Sequence, residues 1–257
     1  MIRTQQILGV KFFDGDTKGA VDAMCRNGGL LVVPAAPALV NIQYDEVYRR
    51  ALTEADLAIA DSGAMVLLWK ILKRRRVQRI SGLAYLRQLF ERPELRESAA
   101  TVFVLPNENA AAKASVWLEA HSFTVPRENF YIAPLYGTST LNHQISTITD
   151  QKLLDHVNTQ RPPHIIIGLG GGTQEKLGLY LKENVDYRPA IHSIGAALGF
   201  LTGDQKPIPN WADKFYLGWL LRLARNPGRY ARRFWVAHEL PGLIARFGAE
   251  LPPMRLR

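Results

Sequence analysis

The chain has 257 residues, 47% hydrophobic and 21% charged, an ordinary globular balance that suffices for one large core. Its net charge of +9 points to an anionic partner: nucleic acid, an acidic membrane surface or a phosphorylated substrate. The lone Cys25 excludes an internal disulfide and a cysteine-based zinc cluster, and no apolar run reaches the ~18 residues of a membrane-spanning helix.

Residues 7–13 read as a first strand, and no signal-peptide pattern is expected, because Phe12 and Phe13 run at once into Asp14 and Asp16. Asp14-Gly15-Asp16-Thr17 turns the chain and caps a helix over 18–26, which Asn27-Gly28-Gly29 ends. Residues 30–33 form a second, buried strand. Pro34-Ala35-Ala36-Pro37 follows as a strand-end loop, where α/β enzymes often bind ligands. A helix is expected over 41–54, then a third strand over 57–60 that delivers Asp61-Ser62-Gly63. Two readings of Asp61 stand side by side. It is a carboxylate at the chemical edge of a parallel sheet, or it caps the next helix.

That helix, 64–72, runs into Lys70, Lys73, Arg74, Arg75, Arg76 and Arg79. The charge run is a solvated face, or part of an anion-binding or membrane-facing surface. A helix follows over 83–90, started by Ser81-Gly82. Next come a strand over 101–105, an alanine-rich helix to His121 and a strand over 129–133. Pro134-Leu135-Tyr136-Gly137 and a helix over 149–159 complete this stretch.

His164-Ile165-Ile166-Ile167 is a buried strand, and Gly168-Leu169-Gly170-Gly171-Gly172 turns it into a helix that Thr173 can cap. A strand, a glycine turn and a helix N-terminus make an anion cradle; a plain turn fits the spacing equally well. It is neither a P-loop nor a clean Gly-x-Gly-x-x-Gly. The helix reaches Asn184, and a last strand covers 190–194. The alternation predicts an α/β fold, a Rossmann-like, mostly parallel sheet flanked by helices, over residues 1–205. Residues 206–257 read as a basic, aromatic-rich C-terminal helical segment. There Trp219, Trp235 and Phe234 interleave with Arg222, Arg229, Arg232 and Arg233. This is an interfacial amphipathic element, or a helical pair with its aromatics on the sheet.

Four segments together resemble the WecG/TagA/CpsF family of glycosyltransferases. They are Ala55-Asp56-Leu57-Ala58-Ile59-Ala60-Asp61-Ser62-Gly63, Arg79-Ile80-Ser81-Gly82, Gly168-Leu169-Gly170 with Gln174-Glu175, and the stretch from Trp211 through Arg222 and Asn226-Pro227 to Arg229 and Arg232. The resemblance implies inverting transfer of a sugar from a UDP-sugar to a polyprenyl-diphosphate-linked acceptor in bacterial surface polysaccharide synthesis. No metal or other cofactor is implied. The protein would be cytoplasmic and peripheral on the inner face of the plasma membrane. Asp61 would be the general base and Gln174 a nucleotide-sugar contact. Arg79, Arg222, Arg229 and Arg232 would face diphosphate, and Gly170 and Tyr136 complete the expected substrate contacts. The family's Thr-x-Asn falls here on Pro34-Ala35-Ala36, which leaves open a relative that binds a nucleotide-sugar or lipid diphosphate without catalysis. A nucleic-acid partner is not expected, since neither sheet-face aromatics nor a basic recognition helix is evident.

Overall fold

The computed structural model describes residues 3–98, 100–136, 147–195, 197–204 and 237–255. Eight strands form one sheet: β1 (Thr4–Ile7), β2 (Val10–Phe13), β3 (Gly29–Val32), β4 (Leu57–Ala58), β5 (Thr101–Leu105), β6 (Phe130–Ile132), β7 (His164–Ile167) and β8 (Ala190–Ser193). Their order is β1-β2-β4-β3-β8-β7-β5-β6, parallel except for β1. The central strands β3, β8, β7 and β5 are buried along their whole length, as parallel strands covered on both faces must be.

The expected first strand is a hairpin instead. Leu8 and Gly9 take positive φ, 49° and 82°, and turn β1 back antiparallel to β2. Leu8 is fully buried, so the apolar run Ile7-Leu8 hides the turn in the sequence.

Nine helices described up to residue 204 and one near the C-terminus cover the sheet. One face carries α2 (Ala36–Val40), α3 (Glu46–Thr53), α4 (Gly63–Lys73), α7 (Gln151–Gln160), α8 (Thr173–Asn184) and α10 (Leu240–Phe247). The other carries α1 (Thr17–Asn27), α5 (Gly82–Phe90), α6 (Glu108–Ala120) and α9 (Ala197–Leu201). The central strands split their side chains between them: Leu30 and Val32 face the first layer, Leu31 the second.

The helix expected over 41–54 is broken. Ala36 already starts α2, a 3₁₀ turn covers Asn41–Gln43, and Asp45 caps α3 by accepting from the Tyr48 N–H at 3.0 Å. A side chain that bonds its own backbone competes with helix continuation. The expected strand over 57–60 shortens to Leu57–Ala58, with Ala60 forming a single parallel bridge to Arg79.

The C-terminal residues 237–255 pack back on the body. Leu240, Leu243 and Ile244 are buried, and α10 lies against α2 and α4. The N–H groups of Leu8 and Gly9 donate to the Gly248 and Ala249 carbonyls, both at 2.9 Å.

Candidate active site

All seven parallel strands end at one edge, which receives Asp61 after β4, Pro34 after β3, Gly195 after β8, Gly168 after β7 and Pro106 after β5. The chain leaves neighbouring strands there in opposite directions. After β5 it enters α6 on one face, after β7 α8 on the other, and after β8 α9 back on the first. Such divergence opens a crevice between strand ends. Here it is a small cleft of about 50 Å³ whose lining includes Leu105, Pro106, Gly168, Gly195 and Thr202.

Asp61 does not cap α4. Ser62 does, with Oγ accepting from the Met65 N–H at 3.3 Å. The Asp61 carboxylate instead crosses 21 residues of chain to accept from the N–H of Gly82, the first residue of α5, at 3.2 Å. Arg79 Nε donates to the Asp61 carbonyl at 2.9 Å. The Asp61 and Arg79 segments thus form one unit at the end of β4, helped by the Ala60–Arg79 bridge.

At β7 the cap also differs from expectation. Gly172, with φ 94°, is the N-cap of α8, and Thr173 is its first residue. The Gly172 N–H donates to Glu175 Oε2 at 2.6 Å, and Glu175 is 1% exposed. The head of α8 therefore already holds a carboxylate, and a phosphate on that N–H would meet it. The glycine turn itself is open: Gly170 and Gly171 are exposed, and a Cβ on Gly170 would touch nothing within 4 Å.

Gln174, 3% exposed, reaches over the end of β8. Its Nε2 donates to the Ser193 carbonyl at 3.3 Å and to Glu175 Oε1 at 3.0 Å, and its amide lies against Gly195. Its Oε1 is buried and finds no donor among the described residues. Such acceptors are rare, because stripping one of water without a partner costs about 1–3 kcal/mol.

The two halves meet. A Cβ on Gly82, whose N–H holds the Asp61 carboxylate, would lie 3.7 Å from Val33 at the end of β3 and from the Ile194 carbonyl at the end of β8. Gln174 covers Gly195, the next residue. Only β3 separates β4 from β8, so the two strand ends lie roughly 10 Å apart at about 4.8 Å per strand.

The profile of the family described as "Glycosyl transferase WecG/TagA/CpsF family" matches residues 5–253. The chain belongs to the WecG/TagA/CpsF family. It is also 20% identical over 234 residues to an N-acetylglucosaminyldiphosphoundecaprenol N-acetyl-beta-D-mannosaminyltransferase of Bacillus spizizenii, covering 89% of this chain and 84% of the relative. Membership makes the protein a glycosyltransferase.

This WecG/TagA/CpsF chain holds further polar groups near its edge that spacing did not single out. Asp150 caps α7 and accepts from Tyr131 Oη at 2.9 Å and from Tyr136 Oη at 2.7 Å. Tyr136 thus has an internal partner, and burial beside that carboxylate pushes its phenol pKa up. Lys176, 2% exposed, pairs with Asp45 at 2.5 Å; burial lowers its ammonium pKa, against the pull of Asp45. Only a pairing of residues 131 positions apart could have revealed it. Asp14-Gly15-Asp16 reads as Asp-x-Asp, but Asp14 accepts from the Gln78 N–H and Asp16 caps α1. No cluster of three metal-ligating side chains occurs among the described residues. Arg222, Arg229 and Arg232 lie outside the described residues.

Proposed function

We propose that this glycosyltransferase moves a sugar from a UDP-sugar to a hydroxyl of a polyprenyl-diphosphate-linked acceptor, with inversion, for bacterial surface polysaccharide. The observation that carries it is that the Asp61 carboxylate, held by the Gly82 N–H at the end of β4, and the Gln174 amide, held over the end of β8, sit at the same sheet edge with one strand between them. The acceptor class follows the Bacillus spizizenii relative, whose name places its acceptor sugar on a diphosphoundecaprenol.

The acceptor oxygen attacks the anomeric carbon and its proton passes to the Asp61 carboxylate. The bond from that carbon to the β-phosphate oxygen breaks, and UDP leaves with the electron pair. General base catalysis of this kind contributes about 10²–10⁴-fold. Gln174 Oε1 accepts an N–H or O–H of the nucleotide-sugar, and the open Gly170 backbone lets that substrate approach. Arg79, beside Asp61, neutralises diphosphate, with Arg222, Arg229 and Arg232 completing the charge by family resemblance. No helix among the described residues is long and apolar enough to cross a membrane, which fits a peripheral enzyme on the inner face of the plasma membrane.

The test is turnover of UDP-sugars with a short-chain lipid-diphosphate acceptor. Asp61→Asn keeps an acceptor for the Gly82 N–H, so the fold and donor affinity by calorimetry should hold while turnover drops at least 10²-fold. Full turnover by the variant would overturn the base. Donor binding without turnover in the unaltered protein would make it a non-catalytic relative.

A further inference from the structure

Helix α4 is apolar on two opposite sides. Met65 and Trp69 point inward, 0% and 1% exposed, on the side packed by α10. The exposed residues of α4 are Leu67, Lys70, Ile71 and Leu72, three of them large aliphatics. Leu67 and Ile71, one turn apart, are 47% and 63% exposed. A helix on a water-facing surface puts polar residues on that side. Just beyond the helix, Arg74, Arg75 and Arg76 are exposed as well. From Asp61 to Glu91 the intervening sequence holds seven basic residues and no acidic one.

We propose that the outer face of α4 lies on an anionic lipid bilayer, with Leu67 and Ile71 in the headgroup–acyl boundary and Lys70, Arg74, Arg75 and Arg76 on lipid phosphates. Aliphatic residues beside a purely basic rim match such a surface, which takes up both without a shaped pocket. A nucleic acid would satisfy the arginines and leave the aliphatics in water. Position gives the contact a use, resting on the proposed transfer site: α4 begins two residues after Asp61. A bilayer along its flank brings that end of the sheet to the level where a lipid diphosphate presents its sugar.

The experiment is co-sedimentation of the full chain with phosphatidylglycerol-containing and with purely phosphatidylcholine vesicles. Leu67→Gln with Ile71→Gln keeps the charge and should weaken binding to anionic vesicles about tenfold. Neutralising the four basic residues to Gln should cost about fivefold each. Melting temperature and turnover of a water-soluble, short-chain acceptor should stay unchanged in both variants, so failure of the docking surface is read apart from failure of the transfer reaction. In a Cys25→Ser, Ile71→Cys background, an environment-sensitive probe at position 71 should shift to the blue only with anionic vesicles. Unchanged vesicle affinity in the Gln variants would overturn the proposal. So would a probe already blue-shifted in buffer, or a variant that turns a dimer into a monomer, since either places protein over the helix.

Discussion

The Gln174 amide is fixed through its nitrogen, which bonds the Ser193 carbonyl and Glu175, and this sets the direction of its unpartnered oxygen. Gln174→Met keeps the volume and removes that acceptor. The expected result is a donor KM raised about tenfold, the size of one hydrogen bond, with kcat largely kept. Steady-state kinetics against UDP-sugar checks it, and an unchanged KM would show that the oxygen meets no substrate. Glu175 is the less obvious partner in this arrangement. It bonds both the amide and the Gly172 N–H, so it holds the head of α8 and the Gln174 side chain in one geometry.

Helix α8 owes its place under the site to a close approach. A Cβ on Gly178 would come within 2.6 Å of Leu30 Cδ1 and 2.8 Å of Ser193 Oγ, so α8 rides directly on β3 and β8. Gly178→Ala should therefore destabilise by about 1–3 kcal/mol despite alanine's better helix propensity, as a lowered denaturation midpoint would show. At this scale much was legible in the sequence. The buried runs Thr101–Leu105 and His164–Ile167 form strands, α5 and α8 start within a residue of where Ser81-Gly82 and Thr173 put them, and the alanine-rich helix α6 ends one residue before His121. The misses have local causes. Leu8-Gly9 turns without the Asn or Asp that marks hairpins, and Asp45 ends a helical run by bonding Tyr48. The meeting of Asp61 with Gly82 was not legible, because no periodicity encodes a bond between a strand end and a helix two elements later. The side-chain types were visible; their placement at one sheet edge, one strand apart, is a property of strand order.

Across the whole molecule, a line of neutral polar groups ties the second helical layer to the sheet, running from α5 over β8 to β7. Tyr85 Oη lies 2.9 Å from His192 Nδ1, and His192 Nε2 lies 3.2 Å from His164 Nδ1. Burial holds His164 down to about 4 and His192 well below the usual histidine value. The unfolded chain protonates both near pH 6.5 and the folded chain does not, so stability is full above that pH and falls as pH drops towards 4. The slope is about 1.4 kcal/mol per pH unit for each histidine. Denaturation midpoints between pH 7 and 5 should show it, and His164→Gln should remove about half; a flat profile would mean the pair is protonated when folded.

The contact of α10 with the hairpin turn has a topological consequence. Asp204, beside the cleft, is held by Lys113 at 2.9 Å, and Glu239, at the head of α10, accepts from Tyr44 Oη at 3.0 Å. The last described segment is thus fastened to the same body as the sheet at both of its ends, by Tyr44 at one and by the Leu8–Gly9 turn at the other.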